Sequence, residues 1–173
     1  SFGKPDDGLG FVPEIMQHIH GSTANCGIAL LTNSALPAEF RGNVLTGNVM
    51  TSRVNRDSLS WAGTTPTAKE ETDFVITTDP WFRPDDLQEG PDGAIYIADF
   101  YNRIIGHYEV PLTHPGRDRT SGRIWRVVYK GEDTRAKARR KAPDMSKASA
   151  KGRIALLDHP VLNTRLLAAN QLA

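Results

Sequence analysis

The stretch that decides the fold is Trp81–His107, WFRPDDLQEGPDGAIYIADFYNRIIGH. The Gly-Pro-Asp-Gly sequence at 90–93 predicts a tight turn, because proline presets φ and glycine accepts a positive φ. The apolar run Ala94–Ala98 is rich in residues that favour strands, so we expect a strand that is buried on both faces. Asp99–Asn102 then turns the chain, and Arg103–His107 is predicted to return as the second strand of a hairpin.

The sequence predicts an internal repeat, and a chance alignment of two unrelated meanders is the alternative. A shift of 51 residues places glycine on glycine, apolar on apolar and turn-forming polar on turn-forming polar residues. The aligned pairs are Gly42 and Gly93, Val44 and Ile95, Gly47 and Ala98, Asn48 and Asp99, Val54 and Ile105, Phe74 and Trp125, and Ile76 and Val127. A period of roughly 40–50 residues with four strands per repeat is typical of a β-propeller blade. The sequence therefore predicts an all-β propeller fragment of two four-stranded antiparallel blades, at about 24–80 and 81–130.

The individual strands follow from short apolar runs between turn residues. Those predicted for the first blade are Cys26–Leu31, Asn43–Met50, Ser52–Leu59 and Phe74–Thr78. The stretch with Gly63 and Pro66 is predicted as a loop. In the second blade, an insertion at 108–121 precedes a last strand, Gly122–Tyr129.

Composition changes after the last predicted strand. Residues 131–151 are basic and rich in alanine, which predicts a solvated linker. A nucleic-acid-binding tail is the alternative, but the run has no interleaved aromatic residues on which bases could stack. Residues 152–173 show helical spacing interrupted by Pro160, so we expect two short helices that begin a helical repeat.

Overall composition excludes several classes. The 173 residues carry a formal net charge of +1, which excludes a strong general attraction to nucleic acid or anionic lipid. The single cysteine, Cys26, cannot form an internal disulfide and is interpreted as a small buried hydrophobe. No segment approaches the ~18 apolar residues that span a bilayer. Both ends are interpreted as cut, so we expect a piece of a larger protein.

Two residues ahead of predicted inner strands are candidates for chemistry. Arg83 could bind an anionic group with its planar guanidinium, and pairing with Asp85 or Asp86 is the alternative. His20 occupies the comparable place one blade earlier. It could serve as a general base near neutral pH, and a hydrogen-bonded structural role is the alternative.

Other polar residues receive weaker predictions. Asp99, with Asn102, is predicted to cap its turn, and Asn48 is predicted to do the same one blade earlier. His107 and Asp118–Arg119 are candidates to line a mouth of the propeller. No metal-ligand spacing, phosphate loop or Ser-His-Asp arrangement is predicted.

Three stretches resemble a known family. WFRPDDLQEGPDGAIYIADFYNRIIGH, followed by RDRTSGRIWRV at 117–127, resembles the quinoprotein glucose/sorbosone dehydrogenases, and among them the large planctomycete-type membrane-bound dehydrogenase proteins. HGSTANCGIALLTNSALPAEFRGNVLTGNV at 20–49 resembles the penultimate blade of that family. ALLDHPVLNTRLLAANQLA at 155–173 resembles its first HEAT-like unit.

The resemblance implies a six-bladed propeller, HEAT-like repeats and a c-type haem domain in an exported bacterial oxidoreductase acting on sugars or related alcohols. It implies that pyrroloquinoline quinone is held by Arg83 and that His20 takes the proton of the substrate hydroxyl. Calcium would bind through residues outside this chain, and a cytochrome c would accept the electrons. The implied location is periplasmic or secreted.

Two other functions remain open. One is a non-catalytic propeller that binds carbohydrate or a protein partner through the same mouth. The other is a metal-dependent, lactonase-like hydrolase, which requires Glu, Asn and Asp ligands that converge on the axis. Only Asn48 and Asp99 are available for that, and both are better explained as turn residues.

Overall fold

The computed structural model describes residues 18–22, 24–32, 35–106, 110–131 and 143–173. The first of its two sheets contains β1 (Asn25–Leu30), β2 (Val44–Asn48), β3 (Arg53–Ala62), β4 (Thr65–Glu70) and β5 (Val75–Ile76). The second contains β6 (Pro84–Glu89), β7 (Ile95–Asp99) and β8 (Arg123–Val127). Two short helices follow, α1 (Ala150–Ala155) and α2 (Leu162–Asn170). Single 3₁₀ turns lie at Ala38–Phe40, Met145–Lys147 and Leu156–Asp158.

The sheets are antiparallel throughout. The first sheet has the order β1-β2-β3-β4, with β5 also paired to β3, and the second has the order β6-β7-β8. A chain dominated by antiparallel strands and ending in two short helices is thus confirmed. The predicted four strands per sheet are not found, because the described residues form five strands in one sheet and three in the other.

The predicted hairpin return at Arg103–His107 is wrong. β7 pairs instead with β8, with Asp99 opposite Arg123. The carbonyls of Asn102 and Arg103 accept hydrogen bonds from the Arg83 side chain, so this backbone is satisfied without a strand partner. His107 itself lies outside the described residues.

The predicted loop around Gly63 and Pro66 is also wrong, because these residues belong to a hairpin. Ala62 pairs with Thr65, so residues 63 and 64 form a two-residue turn between β3 and β4. Within the described residues β4 pairs with β3 alone. Proline is compatible with such an edge strand, since one side of the strand makes no ladder hydrogen bonds.

The two sheets pack face to face. At Gly47 in β2, a Cβ atom would lie 2.5 Å from the carbonyl oxygen of Pro84, so the absence of a side chain lets β6 approach. Buried apolar side chains from both sheets fill the interface. They are Ala29, Leu31, Leu45, Val54, Phe82, Leu87, Ile95 and Ile97.

The opposite face of the first sheet is open in the part of the chain that the structure describes. Ile28 lies on this face opposite Thr46 and is 70% exposed. Leu87 holds the equivalent place in the second sheet, opposite Ile97, and is 0% exposed. Ile28 and Leu87 thus occupy equivalent positions in the two sheets. Among the described residues, only the second sheet has another sheet packed on this face.

The helical segment contacts the second sheet. Pro160 separates α1 from α2, as predicted. The Ser149 hydroxyl accepts the N–H of Gly152 at 3.2 Å and caps α1. Thr164, which is fully buried, donates its hydroxyl to the carbonyl of Pro91 at 3.0 Å. Residues 132–142 of the predicted linker lie outside the described residues, and the HEAT-like assignment stays a prediction.

Candidate functional site

Asn48 and Asp99 end equivalent strands and close the turns that follow. Each side chain accepts a backbone N–H from its turn, at 3.1 and 2.9 Å. Each also fixes the segment that enters its sheet: Asn48 donates to the carbonyl of His20, and Asp99 accepts the N–H of Arg83, both at 2.9 Å. The predicted turn-capping role is confirmed for both residues. The caps hold His20 and Arg83 at comparable places in the two sheets.

Arg83 is a buried arginine with internal partners. Its guanidinium donates to the backbone carbonyls of Asn102 at 2.8 Å, Val49 at 2.7 Å and Arg103 at 3.1 Å, and to the Ser52 hydroxyl at 2.9 Å. None of these partners is one of the two aspartates that follow Pro84. Four of the five guanidinium N–H groups are therefore used within the protein.

The electrostatics of Arg83 follow from this burial. Loss of solvent lowers the pKa of the guanidinium, while the nearby carboxylates of Asp99 and Asp79 act in the opposite direction. The residue stays charged because the usual pKa of arginine lies far above neutral. The charged Arg83 side chain therefore links two turns. It bonds to Val49 and Ser52 in the turn after β2 and to Asn102 and Arg103 after β7. Its predicted role in binding a cofactor stays a prediction.

A cluster of titratable side chains lies on the open face of the first sheet. Nε2 of His18 is 2.7 Å from Oδ1 of Asp57, and Nε2 of His20 is 2.9 Å from Oδ2 of the same carboxylate. Nδ1 of His20 lies 3.4 Å from Oε1 of Glu70, without the geometry of a hydrogen bond. We call His18, His20 and Asp57 the histidine cluster. One ligand-type atom from each lies within 4.8 Å of the others.

Local structure explains why these groups meet. His18 and His20 alternate with Ile19, which is 75% exposed, so the two rings lie on the side that faces the sheet. Asp57 and Glu70 are directly paired residues of β3 and β4, so their side chains share one face. The first sheet therefore presents two carboxylates to two imidazoles.

Of the histidine cluster and Glu70, only His20 is predicted from the sequence as a site residue. The His-x-His spacing at 18 and 20 was the local signal for the second histidine. Asp57 has no local motif, because only the pairing of β3 with its neighbours brings this mid-strand carboxylate beneath the rings. The role of His20 as a general base stays a prediction.

A polar pocket of about 370 Å³ lies beside the histidine cluster. It is lined by His20, Gly21, Thr51, Arg53, Asn55, Glu70 and Asp73. Arg53 and Asn55 both donate to the carboxylate of Asp73, at 2.7 and 2.6 Å. Two buried atoms of lining residues, Oγ1 of Thr51 and Nδ1 of His20, have no hydrogen-bond partner in the described residues. Their chemistry matches a ligand hydroxyl, which both donates and accepts.

Comparison with known proteins gives a family. The family model for a domain of unknown function (DUF7133) matches residues 9–131. The chain belongs to this family. No curated protein and no solved structure matches it. The matched range includes both sheets of the DUF7133 domain, the histidine cluster and the polar pocket. Among the described helices, none is long and apolar enough to cross a membrane.

The DUF7133 domain has a larger pocket at the insertion between β7 and β8. It has a volume of about 540 Å³ and is lined by Trp81 and residues 113–120. Trp81 stacks on Tyr101, with ring centroids 5.1 Å apart. Asp118 and Arg119 line this pocket, and their predicted place at a propeller mouth stays a prediction. The Asp118 carboxylate accepts hydrogen bonds from two backbone N–H groups of the insertion. Asp118 therefore stabilises the conformation of this loop.

Proposed function

We propose that this DUF7133 chain is part of a protein of the quinoprotein glucose/sorbosone dehydrogenase type that oxidises a sugar or related alcohol, and that the polar pocket binds the substrate's hydroxyl groups. The observation that carries this proposal is the pair of buried, unpartnered atoms of Thr51 and His20. A buried polar atom without a partner costs about 1–3 kcal/mol. A ligand with hydroxyl groups removes that cost for both atoms.

The rest of the pocket suits a polyol. Arg53 and Asn55 supply N–H donors, and Asp73 and Glu70 supply carboxylate acceptors around the same volume. Sugars offer several neighbouring hydroxyl groups, each able to donate and accept. A hydroxyl can bind to Nδ1 of His20 in either tautomer, donating to the bare nitrogen or accepting from its N–H. The proposed substrate class therefore does not depend on His20 acting as the base.

The fold supports the proposed setting in a propeller. β1-β2-β3 and β6-β7-β8 are sheets of the same strand order with equivalent registers, and one face of the first sheet packs on the opposite face of the second. Blades of a propeller cover one another in this way. We therefore infer that the two sheets are neighbouring blades.

The cofactor that the family resemblance implies does not match the described geometry of Arg83. Pyrroloquinoline quinone would accept the electrons when bound, and its carboxylates need cationic or N–H donors. Arg83 does not fit this role in its described geometry, since four of its N–H groups already bond to protein oxygens.

Binding of the substrate class is tested by calorimetric titration of the protein with glucose, sorbitol and glycerol. The substitution Thr51→Val keeps the shape of the side chain and removes the hydroxyl, so sugar affinity should fall roughly 2–10-fold, as for one net hydrogen bond. Thr67→Val, at an exposed position of β4 outside the pocket, is the matched control. Equal sugar affinities for Thr51→Val and the unsubstituted protein would refute the assignment of the pocket.

The second candidate function is carbohydrate binding without oxidation, which the same polar pocket supports. Dye reduction separates the two functions. After pyrroloquinoline quinone and calcium are added, sugar-dependent reduction of a redox dye is expected for the dehydrogenase. Sugar binding with no dye reduction favours the non-catalytic propeller.

A further inference from the structure

We infer that His18, His20 and Asp57 bind a divalent transition-metal cation such as Zn²⁺. This inference goes beyond the proposed function, because hydroxyl binding in the polar pocket requires no metal. It also involves the other ring nitrogen of His20. The sugar would contact Nδ1, whereas the cation would bind Nε2, the atom that now lies 2.9 Å from Asp57.

The distances in the histidine cluster suit a metal. Both Nε2 atoms point at one carboxylate, at 2.7 and 2.9 Å from its two oxygens. With bonds of about 2.1 Å, the ligand atoms of a tetrahedral zinc lie about 3.4 Å apart. Each of the two histidine–carboxylate distances therefore needs to grow by less than about 1 Å to admit the cation.

The protons of His20 favour a bound cation. Without one, Nε2–H donates to Asp57, and the unprotonated Nδ1 then lies 3.4 Å from Oε1 of Glu70, so two acceptors are close together. With a cation on Nε2, the ring proton moves to Nδ1, 3.4 Å from Oε1 of Glu70, and a rotation of this half-exposed side chain would let Glu70 accept it. This is the usual arrangement of a metal-binding histidine, whose second nitrogen donates to a carboxylate. The two carboxylates also balance the charge of a divalent cation.

The donor set selects the metal. Two imidazoles and one carboxylate suit Zn²⁺ and Fe²⁺, whereas Ca²⁺ and Mg²⁺ prefer oxygen ligands alone. Three protein ligands leave a coordination position open, as in catalytic rather than structural zinc sites. His20 and Asp57 also line an apolar pocket of about 320 Å³ that includes Ile28 and Val44. A ring nitrogen that binds the cation has no lone pair for a proton, so Nε2 of His20 is then a ligand and not a base.

The test is a metal titration of the chelator-treated protein with Co²⁺ and then Zn²⁺. We expect one Co²⁺ per chain, visible-region absorption typical of nitrogen ligation, and displacement by Zn²⁺. The substitution His18→Gln should weaken Co²⁺ binding by more than the roughly 10–100-fold that loss of an outer-shell partner causes, and Glu70→Gln should weaken it by that smaller factor. His114→Gln, in the insertion, is the matched control and should bind Co²⁺ with unchanged affinity.

Two results would overturn the inference. One is the absence of saturable Co²⁺ binding to the unsubstituted protein, and the other is equal Co²⁺ affinity in His18→Gln and His114→Gln. Asp57→Asn is a harsher variant, because this side chain is only 7% exposed and the substitution could prevent folding. His18 and Glu70 have exposed fractions of 17% and 52%, so their variants keep the test decisive. Thr51→Val should leave Co²⁺ binding unchanged, which separates this inference from the proposed sugar site.

Discussion

The two sheets carry different chemistry at the same register positions. Asp57 pairs with Val44 in the first sheet, and Val127 pairs with Ile95 at the equivalent place in the second. Similarly, Asn55 of the first sheet corresponds to Trp125 of the second. One face thus carries a histidine cluster and a polar pocket, while its counterpart is part of the hydrophobic core.

The difference has a physical reason, which is whether another sheet covers the face. A face that a neighbouring sheet covers must be apolar, because unpaired polar groups are costly when buried. In the first sheet, ion pairs and hydrogen bonds satisfy the polar groups of β3, so that face can carry ligands for a metal or a sugar. The repeat conserves the strand ends and turn caps and varies the side chains between them.

The largest expected effect is the loss of stability at Leu87 compared with Ile28. Leu87→Ala removes a fully buried side chain between the sheets, so we expect the free energy of unfolding to fall by about 2–5 kcal/mol. Ile28→Ala, at the equivalent position, should cost about 0.5 kcal/mol, because the side chain is 70% exposed. Urea unfolding of both variants gives the two values. Similar decreases in the free energy of unfolding would show that another surface covers Ile28 in solution and that the two faces do not differ in burial.

A smaller effect separates two equivalent glycines. Gly42 and Gly93 precede β2 and β7 with φ values of 76° and 75°. A Cβ at Gly42 would meet nothing within 4 Å, so Gly42→Ala should cost only the left-handed penalty of about 1–2 kcal/mol. A Cβ at Gly93 would lie 2.8 Å from the backbone nitrogen of Ala35, so Gly93→Ala should cost about 1–3 kcal/mol more. Equal costs by urea unfolding would show that the Ala35 segment moves freely.

Local signals predicted the parts of the fold that local chemistry determines. The turn at 90–93, the strand after it and the capping roles of Asn48 and Asp99 follow from turn residues and short apolar runs, and the structure has all of them. The alignment at a shift of 51 residues holds as far as Asp99 and fails beyond it. The reason is the connection between β7 and β8, which is long, whereas a four-residue turn connects β2 to β3.

What could not be predicted depends on residues distant in sequence. Arg83 satisfies the carbonyls of Asn102 and Arg103, and no motif in the apparent hairpin reveals that competitor for the backbone. The histidine cluster likewise needs Asp57, which reaches His18 across 39 positions of sequence. A strand pattern indicates which face of the sheet a carboxylate occupies. It does not indicate which distant segment of the chain packs over that face.

The smallest expected effect concerns the long insertion of the second sheet and is seen only in acid. The carboxylate of Asp118 bonds to the hydroxyl and N–H of Ser121 and to the N–H of Thr120, which lowers its pKa from 3.8 to about 2. Because the folded pKa is depressed, the stabilisation is complete above about pH 4 and is lost as the pH falls towards 2. Asp118→Asn keeps an acceptor oxygen but does not titrate in this range, so its stability should change less between pH 4 and pH 2.

Hydrogen exchange locates this acid sensitivity, because the short turn that connects β2 to β3 in the first sheet is capped by Asn48, which does not titrate. In the unsubstituted protein, the amide of Ser121 should lose protection between pH 4 and pH 2 after correction for intrinsic exchange, while the amide of Thr51 should not. Asp118→Asn should remove that step at Ser121, and Asp158→Asn in the helical segment should leave it unchanged. Parallel pH profiles at the two amides would mean that the insertion adds no acid-sensitive cap.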